Sequence, residues 1–206
     1  ISGSLPQGSS AKEWVTLQDP SKNTMQAIKT TLQNAGIKLV NNSKIVLAPV
    51  SNEAKLLHTN KSRPLAAIFP AFMKLSNNSI ADILVKALGQ QELGEGSTLA
   101  GINVMKSYSQ LLDVPVDKWR FADGSGLSDA NRVTTNGLAQ LLFNVQQQPY
   151  FNTYFISLPI AGNSERMVGG TLRKRLTDAN LQNRIYAKTG YIPNVYTLSG
   201  YVKGNS

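Results

Sequence analysis

The sequence predicts a mixed α+β fold, and three features carry that expectation. Apolar residues recur at three- and four-residue steps through 21–35 (Met25, Ala27, Ile28, Leu32 and Ala35), which is the spacing of one helix face. Two runs rich in β-branched and aromatic residues, 185–190 and 195–203, flank a turn that holds Pro193 and Asn194, as two consecutive strands do. Across the 206 residues, 41% are hydrophobic and 16% charged. That balance suits a packed core rather than a disordered chain.

Taken in order, Gly3, Pro6, Gly8 and the Ser9-Ser10 pair precede Trp14-Val15-Thr16-Leu17, which reads as a loop and then a short strand. Asp19-Pro20 starts a helix and Gly36 stops it, by the usual preferences at helix ends. Residues 37–40 and 45–50 read as further short strands. The chain then turns polar through 51–63, apart from Leu56 and Leu57, until Pro64, a residue suited to a first helical turn. A domain boundary is placed at this change, giving units 1–55 and 56–206. Helices are expected over 64–74, 79–88 and 98–112, with Ser76-Asn77-Asn78 at the first junction. Asp123-Gly124-Ser125-Gly126 reads as a turn, 136–147 as a helix bounded by Pro149, and 170–176 as a helix after a glycine-rich loop.

Several chemistries are excluded. The chain has no cysteine, hence no disulfide, thiolate ligand or thiol nucleophile. His58 is the single histidine, and without a Gly-x-Ser-x-Gly elbow it does not suggest a Ser-His-Asp triad. One histidine and dispersed carboxylates also give no metal site, and no cofactor is expected. The formal charge of +9 is scattered, its densest run being Arg173-Lys174-Arg175. With no zinc-finger spacing and no aromatic RNA-binding motif, no nucleic acid is expected as a partner; the charge reads as a basic surface suited to an acidic polymer. No stretch of about 18 apolar residues spans a membrane. The chain opens on Ile1-Ser2-Gly3-Ser4, from which a natural N-terminus upstream is expected.

Two short motifs carry the chemistry. Lys188-Thr189-Gly190 lies on the first expected strand of the pair, where an ammonium and a hydroxyl can hold a carboxylate and a glycine lets a ligand lie close to the backbone. Ser76-Asn77-Asn78 offers a hydroxyl and a carboxamide at a helix junction. A Ser-x-Asn element followed by Lys-Thr-Gly is the pairing found in serine β-lactamases and penicillin-binding proteins. Their surroundings sharpen the match. Ser62-Arg63-Pro64-Leu65, Met73 to Asp82, Asp123-Gly124-Ser125-Gly126-Leu127-Ser128, Leu158-Pro159-Ile160-Ala161-Gly162, Gly170-Thr171-Leu172 and Leu198-Ser199-Gly200-Tyr201 resemble, in order, segments of the peptidase S13 family of serine D-Ala-D-Ala carboxypeptidases. The resemblance runs from about Trp14 to Val202.

Membership of that family implies a β-lactamase/transpeptidase-like fold, an antiparallel sheet flanked by helices, here incomplete, with 1–55 as the remnant of an inserted domain. It implies an acyl-enzyme formed on D-Ala-D-Ala stem peptides of peptidoglycan, binding of β-lactams, and a periplasmic or extracytoplasmic location. It also implies roles. Ser76 relays a proton to the leaving group, Asn78 hydrogen-bonds the acyl-side amide, and Lys188 and Thr189 hold the terminal carboxylate. The backbone amide of Tyr191, just past Gly190, forms half of an oxyanion hole, although the family more often carries a small hydroxyl residue at that position. Asp123 is expected to cap backbone amides in its turn.

The nucleophile of such enzymes is the serine of Ser-x-x-Lys at a helix start, with the lysine as base. Ser9-Ser10-Ala11-Lys12 has the letters but sits in a Gly/Ser/Pro-rich loop, so Ser9 is set aside. The nucleophile is expected in a segment missing from this chain, and the chain alone is expected to be inactive. Two other readings remain open: a serine β-lactamase, which shares the constellation but deacylates fast, and a non-catalytic peptidoglycan-binding module.

Overall fold

The first helix shows how closely local signals set an element's ends. In α1 (Pro20–Asn34) the Asp19 carboxylate accepts a hydrogen bond from the Lys22 amide at 2.8 Å, and Pro20 occupies the first turn. Gly36 follows at φ +80°, the left-handed conformation that ends helices at little cost for glycine. The computed structural model describes residues 3–11, 16–40, 44–46 and 48–204. It divides the chain into two units, Ile1–Asn60 and Lys61–Ser206.

In the first unit α1 is the single regular element among the described residues, and none of the described residues is buried. The short strands expected at 37–40 and 45–50 are not present among the described residues, and Thr16 and Leu17 also lie outside any strand. Trp14 and Val15, the start of that last expected strand, lie outside the described residues. The reason is physical: a β-branched run becomes a strand only when another strand takes up its backbone groups.

The second unit holds the remaining elements. These are α2 (Leu65–Leu75), α3 (Asn78–Leu93), α4 (Thr98–Leu111), α5 (Thr135–Asn144), α6 (Phe151–Ser157), α7 (Arg166–Gly169), β1 (Ile185–Ile192) and β2 (Val195–Val202). Pro64 caps α2 instead of entering it. Each of α3, α4 and α5 starts on a side-chain cap, from Asn77, Ser97 and Thr134 respectively. Such a cap satisfies one amide that the helix itself leaves unpaired. The packing of α3 on α4 is a contact between backbones. A Cβ on Gly101 would lie 1.8 Å from the Val85 carbonyl oxygen, and one on Gly89 would lie 2.7 Å from the Gly101 nitrogen.

Two helix assignments differ from expectation. Helix α6 has no counterpart in the sequence reading; its aromatic residues hold it on the hairpin, with Phe155 stacked on Tyr186 at 4.5 Å and Phe151 edge-on to Tyr201 at 5.5 Å. The helix expected at 170–176 is instead α7 followed by a 3₁₀ turn, Gly170–Leu172. Gly170 breaks the run at φ +55°, where a Cβ would lie 2.3 Å from the Lys74 carbonyl oxygen. Close approach to α2 therefore shapes this segment more than helical propensity does.

The strands pair antiparallel, in a register from Ile185 opposite Val202 to Ile192 opposite Val195. Leu158, Ala161 and Leu172 are fully buried beside them. A further cluster of Leu112, Val114, Val116 and Trp119 packs with Phe121 and Leu141.

Candidate active site

The corner between α2 and α3 presents the Ser-x-Asn element. Ser76 closes α2 in the left-handed conformation (φ +55°, ψ +54°), with its amide bonded to the Phe72 carbonyl. A non-glycine residue there costs roughly 1–2 kcal/mol, so the sharp bend is held by its neighbours. Asn77 takes the capping position, its side chain accepting from the Ile80 amide at 3.0 Å, and Asn78 becomes the first residue of α3. Two residues before Ser76, the buried Lys74 donates to the Leu158 carbonyl at 2.6 Å. Burial holds the Lys74 ammonium below the usual lysine range. This bond ties the corner to the segment that leads into α7.

Strand β1 brings the second motif to that corner. Lys188 Nζ donates to Ser76 Oγ at 2.6 Å and to the Thr189 carbonyl at 2.7 Å. Residues 112 positions apart thus share one hydrogen bond. Burial lowers the pKa of Lys188 as well, because a charge is worse solvated there than in water. With the ammonium donating to Ser76 Oγ, the hydroxyl proton of Ser76 is left to point elsewhere. The pair can therefore pass a proton through Oγ. The Thr189 hydroxyl donates to Thr171 Oγ1 at 2.8 Å.

The backbone of β1 adds a binding edge. The Ala187 amide donates to the Pro159 carbonyl at 3.0 Å, so it points away from β2. Amide direction alternates along a strand, which puts the amides of Thr189 and Tyr191 on the same outer edge. Beyond Ala187 no third strand covers that edge among the described residues. The Tyr191 side chain is 64% exposed and rests on Tyr196 at 5.0 Å between ring centroids. Gly190 has a reason of its own: a Cβ would lie 2.3 Å from Thr197 Oγ1 on β2. A side chain at 190 would therefore require Thr197 to turn to another rotamer.

Two open cavities flank this edge. One of about 530 Å³ is lined by Ser128, Asp129, Arg132, Gly190, Tyr191 and Thr197 among others, and one of about 350 Å³ includes Thr171, Arg175, Thr189, Tyr191 and Leu198. The Asp-Gly-Ser-Gly turn borders the larger one. The Asp123 carboxylate accepts from the amides of Gly126 and Ser128 and from Asn131 Nδ2. Burial by itself would raise the Asp123 pKa, but these donors outweigh it and hold the carboxyl below its ordinary range. Asp82 on α3 accepts from the amides of Gly124 and Ser125 at 2.9 and 3.1 Å, so it anchors the turn beside the Ser76 corner.

Of the residues singled out in the sequence, Ser76, Lys188, Thr189, Gly190 and Tyr191 come together along this cleft. Asn78 sits exposed at the start of α3, adjacent in the chain to the Ser76 corner. Ser9 is exposed in a turn, its hydroxyl donating to the Pro6 carbonyl at 2.6 Å, and α1 begins only at Pro20; Lys12 lies outside the described residues. His58 is exposed. No group of metal-ligating side chains occurs among the described residues, and no helix among them is long and apolar enough to cross a membrane. The sequence reading missed Lys74, Asp82 and Thr171. A lysine within the otherwise apolar Ala71-Phe72-Met73-Lys74-Leu75 run was the available signal for the first; the other two carry none outside the resemblance.

The sequence model of the D-Ala-D-Ala carboxypeptidase 3 (S13) family matches residues 1–206. The chain belongs to that family. A D-alanyl-D-alanine carboxypeptidase from Actinomadura sp. (strain R39) is 33% identical over 99% of this S13 chain, and DacB from Haemophilus influenzae is 29% identical over 90% of it. The chain spans 38% of the length of each of these relatives. Among solved structures, penicillin binding protein 4 (dacB) from Haemophilus influenzae in complex with a β-lactam superposes with a TM-score of 0.82 at 29% identity, covering 91% of this chain and 42% of that one. The S13 chain thus has the transpeptidase-like fold, with helices against an antiparallel hairpin.

Proposed function

We propose that this S13 chain supplies the leaving-group and carboxylate side of a serine D-Ala-D-Ala carboxypeptidase, with the attacking serine contributed by residues outside it. The observation that carries this reading is the 2.6 Å bond from Lys188 Nζ to Ser76 Oγ. In the reaction, a serine hydroxyl outside this chain passes its proton to the lysine of its own Ser-x-x-Lys element as its oxygen attacks the carbonyl of the D-Ala-D-Ala bond, the C–N bond breaks to leave an acyl-enzyme, and the departing amine takes a proton through Ser76 Oγ. Lys188, held short of full hydration, keeps Ser76 oriented and replenishes that proton. Asn78 meets the acyl-side amide, Thr189 the terminal carboxylate, and the Tyr191 amide the developing oxyanion, where a preset donor is most effective. Residues 1–55 are the remnant of an inserted domain, and the enzyme works outside the cytoplasm on peptidoglycan stem peptides.

A fluorescent penicillin tests the reading, incubated with the full-length product and with residues 1–206 alone, with the labelled residue mapped by mass spectrometry. Label on a serine outside this chain and none on the isolated chain is the expected result. Label on Ser9 would overturn the placement of the nucleophile. Fast turnover of the penicillin would point to a β-lactamase, and no label on either form to a binding module.

A further inference from the structure

The basic run Arg173-Lys174-Arg175 is not a uniform patch. Arg173, though exposed, is tied back to its own turn, its Nη1 donating to the Gly170 carbonyl at 3.0 Å. Arg175 is anchored through its backbone instead: its amide donates to the Leu172 carbonyl and its carbonyl accepts from the Gly162 amide, both at 3.0 Å. Its guanidinium has no hydrogen-bond or ion-pair partner among the described residues. It lines the cavity of about 350 Å³ that also contains Thr171 and Thr189. There the Thr189 hydroxyl donates to Thr171 Oγ1, so the Thr171 hydroxyl keeps a proton to offer.

We infer that Arg175 and Thr171 form, with Thr189, the pocket that selects a free C-terminal carboxylate on the substrate. This rests on the reading of the cleft given above, and extends it to two residues outside both motifs. A carboxylate in this cavity gains one hydroxyl donor, Thr171, whose own proton stays available because Thr189 donates to it, and the Arg175 cation. Arginine presents its N–H groups as a fork that matches the two oxygens of a carboxylate. Lys188 is then freed from sole charge of the anion and can stay bonded to Ser76. No carboxylate of the chain is hydrogen-bonded or ion-paired to Arg175 among the described residues, which leaves the group available to a ligand.

The test uses the full-length product and compares a peptide ending in D-Ala-D-Ala with the same peptide ending in a C-terminal amide. In Arg175→Gln, KM for the free acid rises at least tenfold with kcat within about threefold, while the amide is cleaved as by the unaltered protein. Arg175→Lys recovers most of the loss in KM, and Thr171→Val lowers the preference for acid over amide by a smaller factor in the same direction. Because each variant is judged by its own acid-to-amide ratio, a general loss of folded protein cancels. Equal losses on the two peptides, or an unchanged ratio in Arg175→Gln, overturn the inference while leaving the cleft reading intact. An unaltered protein that takes up no penicillin and cleaves neither peptide overturns both.

Discussion

The two units of this chain differ in what their apolar residues do. In the first, Met25 and Ile28 on α1 are 42% and 46% exposed, and Ile37, Val40, Ile45, Val46 and Val50 are exposed as well. In the second, Leu158, Ala161 and Leu172 have no exposed surface, and Leu112, Val114, Val116 and Trp119 form a buried cluster with Phe121 and with Leu141 of α5. The contrast teaches where rigidity comes from. An amphipathic pattern yields a helix in both units, but only burial turns such elements into a frame stiff enough to hold a hydrogen bond between residues distant in sequence. The Ser76–Lys188 bond lies wholly in the unit that has a core.

The largest effects should fall on that bond. Lys188→Ala in the full-length product should cut the rate of penicillin acylation by about 10²–10⁴-fold, the usual range for a positioned proton-handling group, as read by stopped-flow fluorescence. Next is the frame. Gly101→Val forces a side chain into the Val85 carbonyl and should cost at least the roughly 1–3 kcal/mol typical of overpacking, read from urea unfolding. Lys74→Met keeps the bulk but leaves the Leu158 carbonyl unpaired, a loss of about 1–3 kcal/mol, and should slow acylation by loosening the Ser76 corner. Smallest is Met25→Ala in the first unit, which should change stability by no more than about 0.5 kcal/mol, as exposed substitutions do. A Met25→Ala cost as large as that of Lys74→Met would break the comparison.

Acidity sharpens it further. The folded pKa of Lys188 lies below its unfolded value because of burial. The desolvation cost is therefore fully present at pH below the folded pKa and is relieved as pH rises from there toward the ordinary lysine value near 10.4. Relative to Lys188→Met, the stability of the unaltered protein should rise over that alkaline window. The alkaline limb of acylation should begin below the ordinary lysine range, and a limb at or above it would show that burial does not govern this group.

Much of the second unit was legible because its signals are local. Asn77, Ser97 and Thr134 begin their helices, and Pro193-Asn194 marks the hairpin turn between β1 and β2. The two motifs were legible as letters, and their meeting followed from the family resemblance rather than from either tripeptide. The strands expected at 37–40 and 45–50 are absent among the described residues because a β-branched run does not contain its own partner strand. Helix α6 escaped notice because it is seven residues long and held by ring contacts from Tyr186 and Tyr201, information that lies elsewhere in the chain. Arg175 read as ordinary surface charge, since only the fold brings it to the same cavity as Thr189.

A double-mutant cycle on Ser76→Ala and Lys188→Ala, measured as penicillin acylation of the full-length product, probes the shared proton route most directly. If the two side chains act as one unit, the second substitution should cost little once the first is made, leaving the double variant within about tenfold of the weaker single one. Losses that multiply independently would contradict it.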